Sequence, residues 1–208
     1  MGYGKLHVFV GPMFAGKTEE LVKEVLYRTY FMSAEEVAEE IGIFKPAIDT
    51  RFSSSEIVSH KGASIGAQAI SSAAEVDGKD YSACFFDEVQ FLSTGAFEGD
   101  FPGLVRRLRM QGTDVFCAGL DMDYLGRAFE VTSTLMAEAT DVRRLTAQCA
   151  RCAAAATHSI RHEMTAERIL VGATDLYAPM CAEHWFEERM AQQARARSNE
   201  MIAEAEDE

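Results

Sequence analysis

The chain has 208 residues, 48 % of them apolar, which is enough for one large domain, or a domain with a small annex, with its own core. A net charge of −13 argues against a nucleic-acid partner, because phosphate neutralisation needs clustered Lys and Arg. No apolar run approaches the roughly 20 residues that cross a bilayer, so no membrane partner is expected either.

The opening MGYGKLHVFV runs straight into an apolar segment. It lacks the basic region, long apolar stretch and cleavage site of a secretory signal, and the expected location is cytoplasmic. KLHVFV (5–10) reads as a buried strand ended by glycine. Thr18 to about Tyr30 reads as a helix whose apolar stripe is Leu21, Val22, Val25 and Leu26. AEEVAEE (34–40) is a short helix, and IGIFKP (41–46) a second strand stopped by Pro46. Residues 49–66, rich in Ser and Gly, read as a long loop, and loops of that length tend to be functional. YSACFFDE (81–88) is a third strand, ending in two carboxylates. GLVRRLRMQG (103–112) is a helix closed by glycine, and TDVFCAGLD (113–121) a fourth strand. Strands alternating with helices imply an α/β fold with a mostly parallel sheet. Cys84 and Cys117 lie inside these apolar runs and read as small buried hydrophobes.

After about residue 145 the pattern changes. Residues 146–184 carry two Cys/His pairs separated by short extended runs, THSIRH and RILVGA, and read as a small metal-bound annex. From about 183 onward the composition is helical, and the closing AEAEDE reads as a solvated helix end. The expected organisation is a core (1–145), an annex (146–190) and an acidic C-terminal helix or tail (191–208).

Three clusters carry chemistry. Gly11, Gly16, Lys17 and Thr18 fit G-x-x-x-x-G-K-[ST], between a strand and a helix. Glycines let the loop curl so that its N–H groups point at phosphate oxygens, and the helix adds its positive dipole end. Lys17 would reach the β- and γ-phosphates, and Thr18 would hold Mg²⁺. Asp87 and Glu88 close an apolar strand, where a P-loop protein keeps its second acidic element. Asp87 would face the Mg²⁺ shell. Glu88 would take a proton from the group attacking the γ-phosphorus, either water or a substrate hydroxyl. Cys149-x2-Cys152 and Cys181-x2-His184 form two chelating pairs that suit a closed, structural Zn²⁺ site. His184 mirrors the first pair, while His158 and His162 lie between the pairs as other possible fourth ligands.

The stretches GPMFAGKTEEL, KPAIDTRF, FFDEVQF, GLDMDYLGRAF, LTAQCARC and LVGATDLYAPMCAEH occur in the order found in the type II thymidine kinases, the tetrameric cytosolic kind. The resemblance covers roughly residues 5–186. It implies a RecA-like core that binds Mg-ATP and a zinc-tethered lasso that closes over the nucleoside. The implied activity is transfer of the γ-phosphate of ATP to the 5′-hydroxyl of thymidine, with deoxyuridine a further acceptor. Glu88 matches the family's general base and Asp87 its acidic residue near Mg²⁺. The ATP and Mg²⁺ set would be Gly11, Pro12, Met13, Phe14, Ala15, Gly16, Lys17 and Thr18, then Asp49, Thr50 and Arg51 near the phosphates, and Asp87, Glu88, Val89 and Gln90. The nucleoside would be held by Met13, Phe91, Leu120, Tyr124 and Phe129. The lasso backbone of Ile169, Leu170, Val171 and Gly172 and the side chain of Tyr177 would complete the pocket. A homotetramer and feedback inhibition by dTTP are implied as well.

The chain departs from the family pattern at a few positions. Ala15 stands for a frequent Ser, Ala182 for a common Arg, and Tyr124 for a usual Phe. The stretch 31–40 is slightly longer than usual. Ala153 and Ala173 stand where glycine is usual, and alanine gives up positive-φ freedom. A P-loop ATPase and a non-catalytic nucleotide-binding homologue are the alternative readings, separated from a kinase by nucleoside dependence.

Overall fold

The structure is a computed structural model that describes residues 2–49, 56–58, 64–93, 95–162 and 176–206, with side chains to residue 198. In chain order the first elements are β1 (Leu6–Val10), α1 (Lys17–Thr29), α2 (Ala34–Glu40), β2 (Ile41–Pro46), β3 (Glu56–Val58), β4 (Ser64–Gly66), β5 (Gln68–Ile70) and β6 (Ala83–Phe86). Then come α3 (Phe101–Met110), β7 (Asp114–Gly119), α4 (Glu130–Glu138) and β8 (Asp141–Arg144). The annex supplies β9 (Ala147–Gln148), β10 (Ala155–Ala156), β11 (His158–Arg161) and β12 (Tyr177–Met180), followed by α5 (Ala182–Glu206).

The centre is a six-stranded sheet ordered β5-β2-β6-β7-β1-β8, parallel at every pairing. Its inner strands are apolar on both faces because both faces are covered. Leu6, Val8 and Val10 of β1 point to one side, where Leu104, Val105 and Leu108 of α3 and Leu135 of α4 join them. Phe9 points to the other side, to Leu21, Val22 and Val25 of α1 with Phe85 and Phe116. The period of two along each strand thus sorts one sequence into two cores.

The four expected strands and the α1, α2 and α3 helices are present, with strand ends trimmed to Ala83–Phe86 and Asp114–Gly119. Three expectations change. Residues 49–66 are not all loop: β3 and β4 pair antiparallel across Ile57 and Ile65, and Ile57 is buried, an apolar anchor inside a Ser/Gly-rich segment. Leu26 is 57 % exposed rather than core. It sits about 100° around the helix from Val25, past the edge of the buried stripe. The sheet also gains β5 and β8 at its two edges, with α4 before β8.

The annex is built differently. Two short antiparallel pairs, β9 with β10 and β11 with β12, stand beside α5. Its buried apolar cluster is Cys149, Ala156, Ile160 and Met180, with Trp185 packed against it. The α5 helix runs unbroken through residue 190, joining the annex and the acidic end in one element.

Candidate active site

The C-terminal ends of β6, β7 and β1, neighbours in that order, carry the expected chemistry. Such ends, where helices peel off to either face, are where open α/β sheets bind ligands. From β1 the chain enters the P-loop at Gly11, with φ 148°. A Cβ there would lie 2.3 Å from the Leu145 carbonyl oxygen, so only glycine fits. Gly16, with φ 82°, caps α1 in the left-handed region. Phe14 is left-handed too, at φ 65°, a conformation costing roughly 1–2 kcal/mol for an L-residue with a side chain. The buried Lys17 ammonium donates to the Pro12 carbonyl at 2.8 Å, spanning the loop it belongs to.

Asp87 follows β6 and accepts from the Thr18 hydroxyl, 3.0 Å to Oδ2 and 3.3 Å to Oδ1. The two sequence motifs, 69 residues apart, therefore meet directly. Glu88 then turns left-handed, φ 50°, into the 3-10 turn Val89–Phe91. Strain of this kind at a non-glycine residue gathers at functional sites. Gln90, 1 % exposed, donates from Nε2 to Glu88 Oε2 and accepts from the Leu120 N–H at 3.0 Å. Asp49 is buried, its N–H bonded to the Pro46 carbonyl at 3.0 Å. Thr50, Arg51, Ile169, Leu170, Val171 and Gly172 lie outside the described residues.

Of the residues assigned to the nucleoside, Phe91, Tyr124 and Phe129 are buried, and Met13, Leu120 and Tyr177 are half-buried. The 121–129 loop is shaped by Asp123, whose Oδ1 accepts from the N–H groups of Leu125 and Arg127, each at 2.9 Å. The annex grips this loop. Trp185 Nε1 donates to the Tyr124 carbonyl at 3.2 Å, and the fully buried Arg161 guanidinium lies 3.8 Å from the Tyr124 ring centroid. Cation–π attraction strengthens where water is excluded. Tyr177 sits opposite Arg161 in the β11–β12 ladder. Ser159 of β11 accepts from the Met13 N–H at 2.9 Å, pinning the P-loop to the annex. Ser159, Arg161 and Trp185 carried no signal in the sequence, because their partners lie 61 or more residues away or are read only through a ring contact.

Cys149, Cys152, Cys181 and His184 converge, with all four ligand atoms within 4.8 Å of one another. Cys152 Sγ and Cys181 Sγ are 3.8 Å apart, and His184 Nδ1 lies 3.5 Å from Cys149 Sγ and 3.3 Å from Cys181 Sγ. A tetrahedron with Zn–S about 2.3 Å and Zn–N about 2.0 Å has edges of about 3.8 and 3.5 Å, so the donor set fits zinc in kind and in spacing. The Cys149 thiol is drawn down to about 5. The backbone N–H of Cys181 leads, burial opposes it, and the N–H groups of Arg151 and Cys152 and the His184 ring add to it. The thiolate is the form that binds metal. His158 instead stacks on Trp185 at 4.6 Å, and burial lowers its affinity for a proton. His184, and not His158, thus completes the Cys/His cluster that could hold a metal. By contrast, burial pushes the Cys84 and Cys117 thiols up, as inert core residues.

The Thymidine kinase family model matches residues 4–185, nearly the whole chain. A thymidine kinase of Bacteroides thetaiotaomicron is 35 % identical over 188 residues, 89 % of this chain and 89 % of that one. One from Bacteroides fragilis is 34 % identical over 197 residues, 94 % of this chain and 92 % of its own. With the P-loop, the Asp87–Glu88 pair and the Cys/His cluster assembled as described, these matches establish that the chain belongs to the thymidine kinase family.

Proposed function

We propose that the protein transfers the γ-phosphate of ATP to the 5′-hydroxyl of thymidine, giving ADP and dTMP for nucleotide salvage. The observation that carries this reading is the junction of Thr18 with Asp87, with Glu88 beside it and tied through Gln90 to Leu120. It supports the reading because the cradle after β1 and the carboxylates after β6 meet across the end of β7, the strand between them, which leads into Leu120. Lys17 and the loop N–H groups hold the β- and γ-phosphates. Thr18 and Asp87 face the Mg²⁺ that accompanies ATP, which neutralises phosphate charge. Glu88 accepts the proton of the 5′-hydroxyl while its oxygen bonds the γ-phosphorus and the bond from that phosphorus to the β,γ-bridging oxygen breaks. Most of the rate comes from position and fixed charge.

The base lies among Met13, Phe91, Leu120, Tyr124 and Phe129, closed over by the lasso with Tyr177. The thymine methyl contributes only about 1 kcal/mol, so deoxyuridine is also phosphorylated. Cys149, Cys152, Cys181 and His184 hold a structural Zn²⁺. The protein acts in the cytoplasm, and none of the described helices is long and apolar enough to cross a membrane. A homotetramer is favoured by the exposed apolar face of Leu26, Tyr27, Tyr30 and Phe31 on and after α1. Feedback inhibition by dTTP belongs to the same reading.

The test is ADP release from Mg-ATP with and without thymidine, deoxyuridine, deoxycytidine and deoxyguanosine, repeated in Glu88→Gln. Thymidine-dependent release, falling about 10²–10⁴-fold in the variant, is expected. Release indifferent to every nucleoside would make the protein an ATPase.

A further inference from the structure

We propose that Gln90 is a positioning residue for Glu88, a two-ended clamp that fixes the reacting carboxylate relative to the backbone of Leu120. The proposal rests on the reading of Glu88 as the base. Its polarity follows from chemistry. The Leu120 N–H can only donate, so it selects Oε1 of the carboxamide, 3.0 Å away. The NH₂ end is then turned toward Glu88 Oε2, and an ionised carboxylate can only accept. Rotating the amide by half a turn would set donor against donor and acceptor against acceptor, in a place where Gln90 is 1 % exposed and water cannot relieve the clash.

The backbone supports the same reading. Glu88 leaves the sheet in a left-handed conformation, so the strand no longer sets the direction of its side chain. The 3-10 turn brings Gln90 back over it, closed by the Phe91 N–H on the Glu88 carbonyl at 3.0 Å. Gly119 leaves the room the clamp needs, since a Cβ there would lie 2.8 Å from Gln90 Oε1 and 2.7 Å from Val89 Cγ2. A base works only within hydrogen-bond reach of the proton it takes, and an error of about 1 Å costs about 100-fold. Because Leu120 is also assigned to the nucleoside, the clamp ties the proton acceptor to the wall that positions the proton donor.

The test is a mutant cycle in the full-length protein, reading initial rates of dTMP formation from Mg-ATP and thymidine. Gln90→Met removes both bonds at similar volume. Gln90→Glu, assayed at about pH 9 so that the two adjacent carboxyls do not share a proton, keeps an acceptor for the Leu120 N–H and sets a carboxylate in place of the donor to Glu88. Gln90→Glu is expected to lower kcat about 10–100-fold with thymidine KM within about threefold, whereas Gln90→Met lowers kcat and raises KM as well. In a Glu88→Ala background, Gln90→Met should cost less than about twofold in kcat, because no carboxylate remains to be held. Equal losses in both backgrounds would make Gln90 a packing residue and overturn the proposal, and so would an unchanged kcat in Gln90→Glu at about pH 9, where the second carboxyl is ionised. If Gln90→Met fails to fold, Gln90→Glu decides. The base assignment is read separately, by Glu88→Ala alone: an undiminished kcat there would sink it, and the clamp with it.

Discussion

Leu104, Val105 and Leu108 of α3 are sealed against a sheet whose inner strands are buried on both faces, with a second apolar layer under α1. Among the described residues beyond 145 the buried apolar cluster shrinks to Cys149, Ala156, Ile160 and Met180, and Cys149 also belongs to the Cys/His cluster that could hold a metal. The annex cannot bury enough surface to order itself by packing, and small units of this kind depend on staples. Three stand out among the described residues: the Cys/His node, the Trp185 and Arg161 grip on Tyr124, and the Ser159 bond to Met13. The core is held by area and the annex by a few directed contacts, so the two should fail under different insults.

Removing the metal should have the largest effect. Structural zinc contributes on the order of 10 kcal/mol to small zinc-finger peptides. Stripping it with a chelator, or breaking the node with Cys152→Ser, should release the annex while the sheet persists. Thymidine turnover is expected to fall more than about 100-fold, with ATP binding weakened less than about tenfold, because the Met13–Ser159 bond is a single contact at the edge of the cradle. Hydrogen exchange, read segment by segment beside an ATP titration, checks this. Full thymidine turnover in zinc-free protein would end the comparison. The converse variant is Leu108→Ala, in the core. Truncating that fully buried leucine should destabilise global unfolding by about 2–5 kcal/mol and leave zinc affinity unchanged. Denaturant melts with zinc release monitored in parallel separate the two.

The same contrast explains what the sequence made legible. The P-loop, the Asp87–Glu88 pair and the two chelating pairs are local patterns whose spacing is their chemistry; the fold brings Thr18 to Asp87 and gathers the four Cys/His side chains. The inner strands were legible because burial on both faces leaves continuous apolar runs. The edges were not. All four residues of β8, DVRR, are exposed, so no alternation marks it, and β5 has only three residues. The α4 segment EVTSTLMAE mixes Thr and Ser through its face and shows little amphipathic contrast. Arg161, inside the short run THSIRH, is fully buried under Tyr124, a partner 37 residues away that no local pattern marks. The clamp at Gln90 needs Leu120, and the pin at Ser159 needs Met13, 146 residues away; no window along the chain contains either pair.

Ser159→Ala probes the contact between the two regions at a smaller scale. It leaves the Met13 N–H without its hydroxyl acceptor at a partly buried position, a loss of about 1 kcal/mol. The P-loop should loosen and the ATP KM rise about fivefold, with zinc content and the core melt unchanged. An unchanged KM would mean that the cradle holds its shape without help from the annex.

The smallest effect should be a gain. Ala153 follows the first chelating pair in a tight turn, with its N–H on the Cys149 carbonyl at 3.0 Å and the Cys149 N–H on the Ala154 carbonyl at 2.8 Å. That turn requires φ 60°, the left-handed region, which costs an alanine roughly 1–2 kcal/mol. Family members usually carry glycine here, and this chain holds the same turn against strain. Ala153→Gly removes the strain but gives the unfolded chain more freedom, returning about 0.4–1 kcal/mol. A net stabilisation of about 0.5–1 kcal/mol should remain, confined to the annex. It should appear as zinc held about 2–5-fold more tightly in a competition titration, with the core melt unmoved. Weaker zinc binding in the glycine variant would show that the turn is set by its own residues, and that the metal node does not impose it on Ala153.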